Sequence, residues 1–102
     1  MVKNSITPPH PGETLYEDFM EPLGISQSRL ARELGVDPRR INEIVNGKRS
    51  ITVDTALRLE KYFGASAMFW INLQTSYDLR MANRDGVLSQ KISKIIPVQS
   101  GN

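Results

Sequence analysis

The residues best equipped for chemistry in this chain are Arg39, Arg40, Asn42, Glu43 and Asn46, followed at once by Lys48 and Arg49. Guanidinium and carboxamide groups each offer a planar pair of hydrogen bonds. Such pairs match guanine O6/N7 and adenine N6/N7 in the DNA major groove. Residues set about 100° apart on a helix place Arg39, Asn42, Glu43 and Asn46 on one face, with Arg40 flanking. Pro38, Ile41, Ile44 and Val45 share the other face and are expected to pack inward. A carboxylate repels phosphate, so Glu43 is expected to meet a cytosine amino group or to orient an arginine. Lys48 and Arg49 follow the helix and are placed for backbone phosphates.

Other groupings are weaker. Glu13 and Glu17 stand one helical turn apart near His10, a conceivable metal set. But His10 lies in a proline-rich stretch, and one histidine with two surface carboxylates is a poor ligand group. An ordinary solvated helix face accounts for them better. The serines and threonines have no second histidine to activate them, and no glycine-rich phosphate loop occurs. No enzyme activity, metal or cofactor is expected.

The elements that must carry the basic helix are legible around it. Ser26 can cap a first helix, because its hydroxyl accepts an orphan backbone N–H. Leu30, Ala31 and Leu34 then fall on one face. Gly35 stands where that helix must stop, and Val36 follows as a small apolar anchor. Asp37 and Pro38 supply an N-cap and a first helical residue, and Gly47 closes the second helix. Two short helices joined by a tight turn, the second opening on arginines, make a helix-turn-helix, whose second helix enters a DNA groove.

The flanking sequence predicts an all-α bundle of five helices. A first helix should start near Pro11 or Gly12, bury Leu15, Phe19 and Leu23, and lose regularity before Pro22. Thr52 caps a fourth helix, with Asp54 in its first turn. Val53, Ala56, Leu57 and Phe63 are its expected buried stripe, and Gly64 its end. Ser66 caps a fifth, from Ala67 to about Asn83. There Trp70, Leu73, Tyr77 and Met81 recur at helical spacing, with more apolar surface than a terminal helix needs. These four are the expected homodimer seam, because dimeric helix-turn-helix proteins read two half-sites about 34–36 Å apart. Beyond Asp85, Leu88, Ile92 and Ile95/Ile96 fit a short helix, with only weak alternation as the other choice, and Pro97 stops either. The expected layout is a flexible arm over residues 1–10, a DNA-binding domain over 11–84 with its dimerisation helix at 66–84, and a partly disordered extension over 85–102.

Composition bounds the function class. The chain has 102 residues, 13 basic and 11 acidic, and no cysteine. One domain with a modest core fits that length, and a disulfide framework or thiolate metal site is excluded. No apolar run approaches the roughly 20 residues of a membrane span, and the N-terminus lacks the apolar core of a signal peptide. A cytoplasmic location is therefore expected. The charge is uneven: residues 1–24 hold one base against four acids, while residues 25–50 hold six bases against three acids. A net charge of +2 is low for a protein that grips DNA through its backbone, so modest affinity per subunit and a need for dimerisation are expected.

Three phrases carry a family resemblance: HPGETLYEDFMEPLGISQSRLARELGV, RRINEIVNGKRSIT and DTALRLEKYFGASAMFWINLQTSYDL, spanning about residues 8–83. The chain resembles the Xre/lambda-repressor-like helix-turn-helix family, and within it the HigA-type (VapI-like) antitoxins. The HPGE, EPLG and FGASAMFWINLQ blocks are more restrictive than the helix-turn-helix itself. The resemblance implies a lambda-repressor-like fold and a type II toxin–antitoxin pair. The partner would be a HigB-like, ribosome-dependent mRNA endonuclease silenced by direct binding, and a dimer of the antitoxin would repress its own operon from an operator. By the same resemblance Gln27 touches a phosphate, Arg39, Arg40 and Asn42 occupy base-reading or groove positions, and Asn46 and Lys48 occupy phosphate positions. Pro38, Glu43 and Arg49 complete the expected DNA surface. No toxin-contact residues carry over. A stand-alone repressor without a toxin is the alternative, and an interaction module that has lost DNA binding is a third.

Overall fold

Each helix begins and ends where side-chain chemistry dictates. The computed structural model describes residues 8–99, and among them it contains helices, turns and irregular backbone with no strand. The first helix, α1, runs through three consecutive segments: Pro11–Thr14, the π-wound Leu15–Met20, and Glu21–Leu23. Then follow α2 (Gln27–Leu34), α3 (Pro38–Val45), α4 (Val53–Phe63), α5 (Ala67–Asn83) and α6 (Gly86–Ser93). The side chains of Ser26, Asp37, Thr52 and Ser66 accept first-turn N–H groups of α2 to α5. Gly35 (φ 72°) and Gly47 (φ 76°) take the left-handed conformation that ends α2 and α3. In both, the next residue's N–H returns to the helix: Val36 to Ala31 and Lys48 to Glu43. These paired bonds satisfy carbonyls that a helix end leaves orphaned.

Twelve side chains form the core: Leu15, Met20, Ile25, Leu30, Ala31, Leu34, Ile41, Ile44, Ile51, Ala56, Leu59 and Trp70. Phe19 is the hub of an aromatic group, with ring centroids 4.8 Å from Trp70 and 5.2 Å from Phe63. Helices α1 to α5 share this core, so the five-helix bundle expected from the sequence is present. Helix α6 packs on the end of α5, and every residue from 83 to 99 is exposed. The molecule extends 56 × 33 × 22 Å with a radius of gyration of 17.2 Å. A compact chain of this length would have about 13 Å, and the projecting α6 contributes to the difference.

Several expectations are corrected. Pro22 does not stop α1 near Met20; the helix continues to Leu23. The π segment, Leu15–Met20, widens the winding in the turn before Pro22, where the proline ring would clash with an ordinary α turn. Leu23 consequently points outward, 62% exposed. In α4 the buried positions are Thr55, Ala56 and Leu59, while Val53 (63%) and Leu57 are exposed. The inward stripe runs through Thr55, Ala56 and Leu59, and the last two join the core with residues of α2 and α3. Pro38 is exposed and Val45 half-buried, so only Ile41 and Ile44 anchor α3 fully. The expected flexible arm is shortened. Residues 1–7 lie outside the described residues, whereas Pro8 and His10 are buried. His10 Nδ1 accepts the Gly12 N–H at 2.9 Å, and its ring meets Tyr77 edge-on at 4.9 Å. The segment expected to be disordered at the C-terminus begins at Gln99, which is described and exposed; residues 100–102 lie outside.

Candidate nucleic-acid interface

Helix α3 projects its polar face from a fixed base. Ile41 and Ile44 are fully buried beneath it, and Asp37 Oδ1 caps its N-terminus by accepting the Arg39 N–H at 2.7 Å. With the helix ends satisfied and the underside packed, its exposed side chains are held at defined angles.

Arg39, Asn42, Asn46 and Lys48 are exposed, and Arg40 and Glu43 are partly covered. Arg39 is the most outward, with 80% of its side chain exposed. Glu43 lies between two guanidiniums, accepting from Arg39 Nε at 3.2 Å and from Arg49 Nε at 2.8 Å. Arg49 first, and Arg39 after it, hold the Glu43 carboxyl below the usual carboxylate range. Of the two roles open to Glu43, orienting arginines is therefore the one the geometry displays. Gln27, at the start of α2, accepts from Asn42 Nδ2 at 3.1 Å, which sets the α2–α3 spacing on the exposed side. Pro38 opens α3 at its rim, Asn46 caps its C-terminus and Lys48 follows the Gly47 turn.

Arg40 stands apart from Arg39. Its Nη1 bonds Asp54 Oδ1 at 2.8 Å and reaches Thr55 Oγ1 at 3.4 Å. Asp54 also accepts from Arg58 Nε at 2.8 Å, and Arg58 Nη1 donates to the Leu34 carbonyl at 2.8 Å. The Asp54 carboxyl lies below its ordinary range because Arg58, then Arg40, favour its charged form. Sequence reasoning missed Asp54 and Arg58 as parts of this surface. Their i,i+4 pairing is readable, but the bond from α3 to α4 is not. The loop behind the surface is fixed by Gln74 of α5, whose buried Oε1 accepts the Ile51 N–H at 2.8 Å.

The expected dimer seam is partly overturned. Trp70 is 0% exposed and belongs to the protomer's own core, so it cannot be presented to a second copy. Leu73 and Tyr77 are half-buried along a groove shared with Pro8, Pro9 and Pro11, and Met81 is exposed. Trp70 is inward because it packs on the core, its ring 4.8 Å from Phe19; apolar spacing on a helix does not by itself say which residues meet the core. Among the described residues, no group of three or more histidine, aspartate or glutamate side chains is placed to hold a metal. No helix there is long and apolar enough to cross a membrane.

Residues 17–70, from α1 into α5, match the helix-turn-helix family. The chain is 51% identical over 98 residues to virulence-associated protein I of Dichelobacter nodosus, covering 96% of this chain and 88% of that protein. Its fold superposes on the Pseudomonas aeruginosa antitoxin HigA, solved with the higBA promoter, with a TM-score of 0.83 and 41% identity. That match covers 90% of this chain and 99% of the other. An addiction module antidote protein of the HigA family from Coxiella burnetii gives a TM-score of 0.81 and 41% identity, covering 91% and 100%. The matched family is one of helix-turn-helix antitoxins and regulators, not an enzyme family. The chain belongs to the helix-turn-helix family and, within it, to the HigA-type antitoxins.

Proposed function

We propose that this protein is an antitoxin that represses its own operon and silences a HigB-like mRNA endonuclease by direct binding. The observation that carries the DNA half is the capped, inward-anchored α3 with Arg39 80% exposed at its N-terminal end. In a helix-turn-helix those N-terminal positions reach base edges. Arg39, Arg40 and Asn42 read bases, Glu43 orients Arg39 and Arg49, and Gln27, Asn46, Lys48 and Arg49 contact phosphates. Pro38 lets the helix start close against the groove. The toxin half rests on the likeness to HigA antitoxins, one of them solved on the promoter of its toxin–antitoxin pair.

Binding, not catalysis, is the whole activity, and the cytoplasm, where operator and toxin both reside, is its location. A homodimer is the reading form. Its seam runs along the outer side of α5, through Leu73, Tyr77 and Met81, onto the exposed apolar side chains of α6. The layout is then a DNA-binding domain over 11–84 and an extension over 85–102 that assists assembly.

The test is expression of the adjacent small reading frame with and without this chain. Growth arrest relieved by this protein, with a gel shift of the upstream promoter, supports both halves. A promoter shift with no arrest to relieve leaves the stand-alone repressor. Relief of arrest without any promoter shift removes the DNA-reading role.

A further inference from the structure

Arg40 is 28% exposed on its side chain, against 80% for Arg39. Both bonds that restrain it use Nη1, to Asp54 at 2.8 Å and Thr55 at 3.4 Å. The guanidinium keeps its Nε–Nη2 edge, which carries the two parallel donors of a bidentate contact. Asp54 is in turn gripped by Arg58, whose Nη1 bonds the Leu34 carbonyl at 2.8 Å and the Gly35 carbonyl at 3.4 Å. A chain of charge-assisted bonds thus runs from the turn of the helix-turn-helix, through α4, to an arginine of α3. The cleft beside it is lined by Arg40, Arg49, Ser50, Thr52, Asp54 and Thr55.

Asp54 is out of place on electrostatic grounds. A carboxylate on the rim of a DNA-binding surface repels phosphates and weakens binding. The α4 N-terminus and the i,i+4 partner Arg58 suffice to stabilise an acid there. Neither requires a second guanidinium from another helix.

We propose that Asp54 is a specificity-determining positioning residue, which holds Arg40 in one rotamer so that its free edge meets one base pair, with Arg58 bracing Asp54 against the turn. The ordering of a long side chain is then completed during folding rather than at the DNA, which sharpens discrimination between bases. This rests on the proposed DNA-reading role of α3.

The probe is a pool of duplexes randomised over about two helical turns, the span of two half-sites. It is enriched on the full-length protein and on Arg40→Ala, Asp54→Asn and the double variant. Circular dichroism confirms that each is folded. Arg40→Ala should flatten the base preference at one position per half-site, on the order of ten-fold. Asp54→Asn should flatten the same position in part, while affinity for a shuffled duplex holds or rises because a negative charge has gone. The double variant should match Arg40→Ala.

Preference unchanged in Asp54→Asn but lost in Arg40→Ala overturns the positioning role and leaves Arg40 as a reader. An equal fall of Asp54→Asn on every sequence, with a lower melting temperature, makes Asp54 structural and also overturns it. A parent-like preference at every position in Arg40→Ala overturns the inference and leaves the DNA reading intact. No enrichment by the parent protein overturns the DNA reading itself.

Discussion

Gly12 of α1 lies directly against Ile44 of α3: a methyl group in place of its hydrogen would sit 1.8 Å from the Ile44 carbonyl oxygen. The obstacle is helix backbone rather than a movable side chain, so α1 and the recognition helix can approach this closely only over glycine. Gly12→Ala is expected to force α3 away from α1 and destabilise the domain by about 2 kcal/mol or more. Urea unfolding reads the stability and a gel shift reads the displaced helix. An alanine variant with parent-like stability and promoter affinity would show that the approach is not required.

His10 should give the stability a pH dependence near neutrality. Its Nδ1 accepts the Gly12 N–H, which only a neutral ring with the proton on Nε2 can do. Burial holds the imidazole below its ordinary value of 6.5, against the opposing pull of the Asp78 and Glu13 carboxylates. A folded-state value below the unfolded one means that the unfolded chain binds the proton more readily. Stability is therefore complete above about pH 6.5, erodes as pH falls through that value, and levels off below the lower folded value. The carboxylates held below their usual range, Glu33, Glu43 and Asp54, lose their share only in more acid solution. The chain has one histidine, so a slope that sets in as pH falls through about 6.5 belongs to His10. His10→Asn, which retains a capping side chain, should abolish the slope between pH 5 and 7. A slope that persists in that variant assigns the titration to another group.

Most of the fold was legible because it is written in local chemistry. Ser26, Asp37, Thr52 and Ser66 cap where capping residues are expected, and the glycines at 35 and 47 turn where helices must end. Contacts between distant segments were not legible. Nothing in the sequence of α4 shows that Val53 and Leu57 face solvent while Thr55 faces inward, because the choice of stripe is made by what packs on it. Trp70 was misplaced for the same reason: apolar spacing identifies a face but not the partner that covers it. Glu43 and Arg49, six residues apart, meet across the Gly47 turn, and Arg40 and Asp54, fourteen apart, meet only where α3 lies beside α4. The exposed polar face of α3 was readable; the mutual bracing of its side chains was not.

The two kinds of DNA contact proposed for this surface should separate in salt titrations. Arg39, exposed and aimed outward, reads bases in this scheme, whereas Lys48 meets phosphate. Arg39→Ala should cost about 1–3 kcal/mol on the operator and relax selection at one position. Lys48→Ala should weaken all duplexes alike and reduce the slope of log affinity against log salt by about 1. Fluorescence anisotropy on operator and shuffled duplexes, across a salt series, measures both. If Arg39→Ala weakens operator and shuffled DNA equally, Arg39 is a phosphate contact instead.

Helix α6 has eight residues and no core of its own. An isolated helix of that length is marginal in water, yet Val87, Leu88, Ile92, Ile95 and Ile96 remain exposed in the protomer. Coverage by a second copy, continuous with Met81 on α5, accounts for both facts. Ile92→Glu removes no contact from the protomer core, so circular dichroism and the melting of helices α1 to α5 should be unchanged. Light scattering should then show a monomer, and operator affinity should fall because one subunit holds only one half-site. Trp70→Ala should behave differently, losing about 3–5 kcal/mol of stability and the fold with it. Trp70→Phe should be milder: it opens a smaller void and removes an indole N–H that finds no acceptor among the described residues. A folded Ile92→Glu protein that stays dimeric would move the seam off α6 and onto the Leu73–Tyr77 stretch of α5. An Ile92→Glu monomer that still binds operator with parent affinity would leave the dimer without a role in reading DNA.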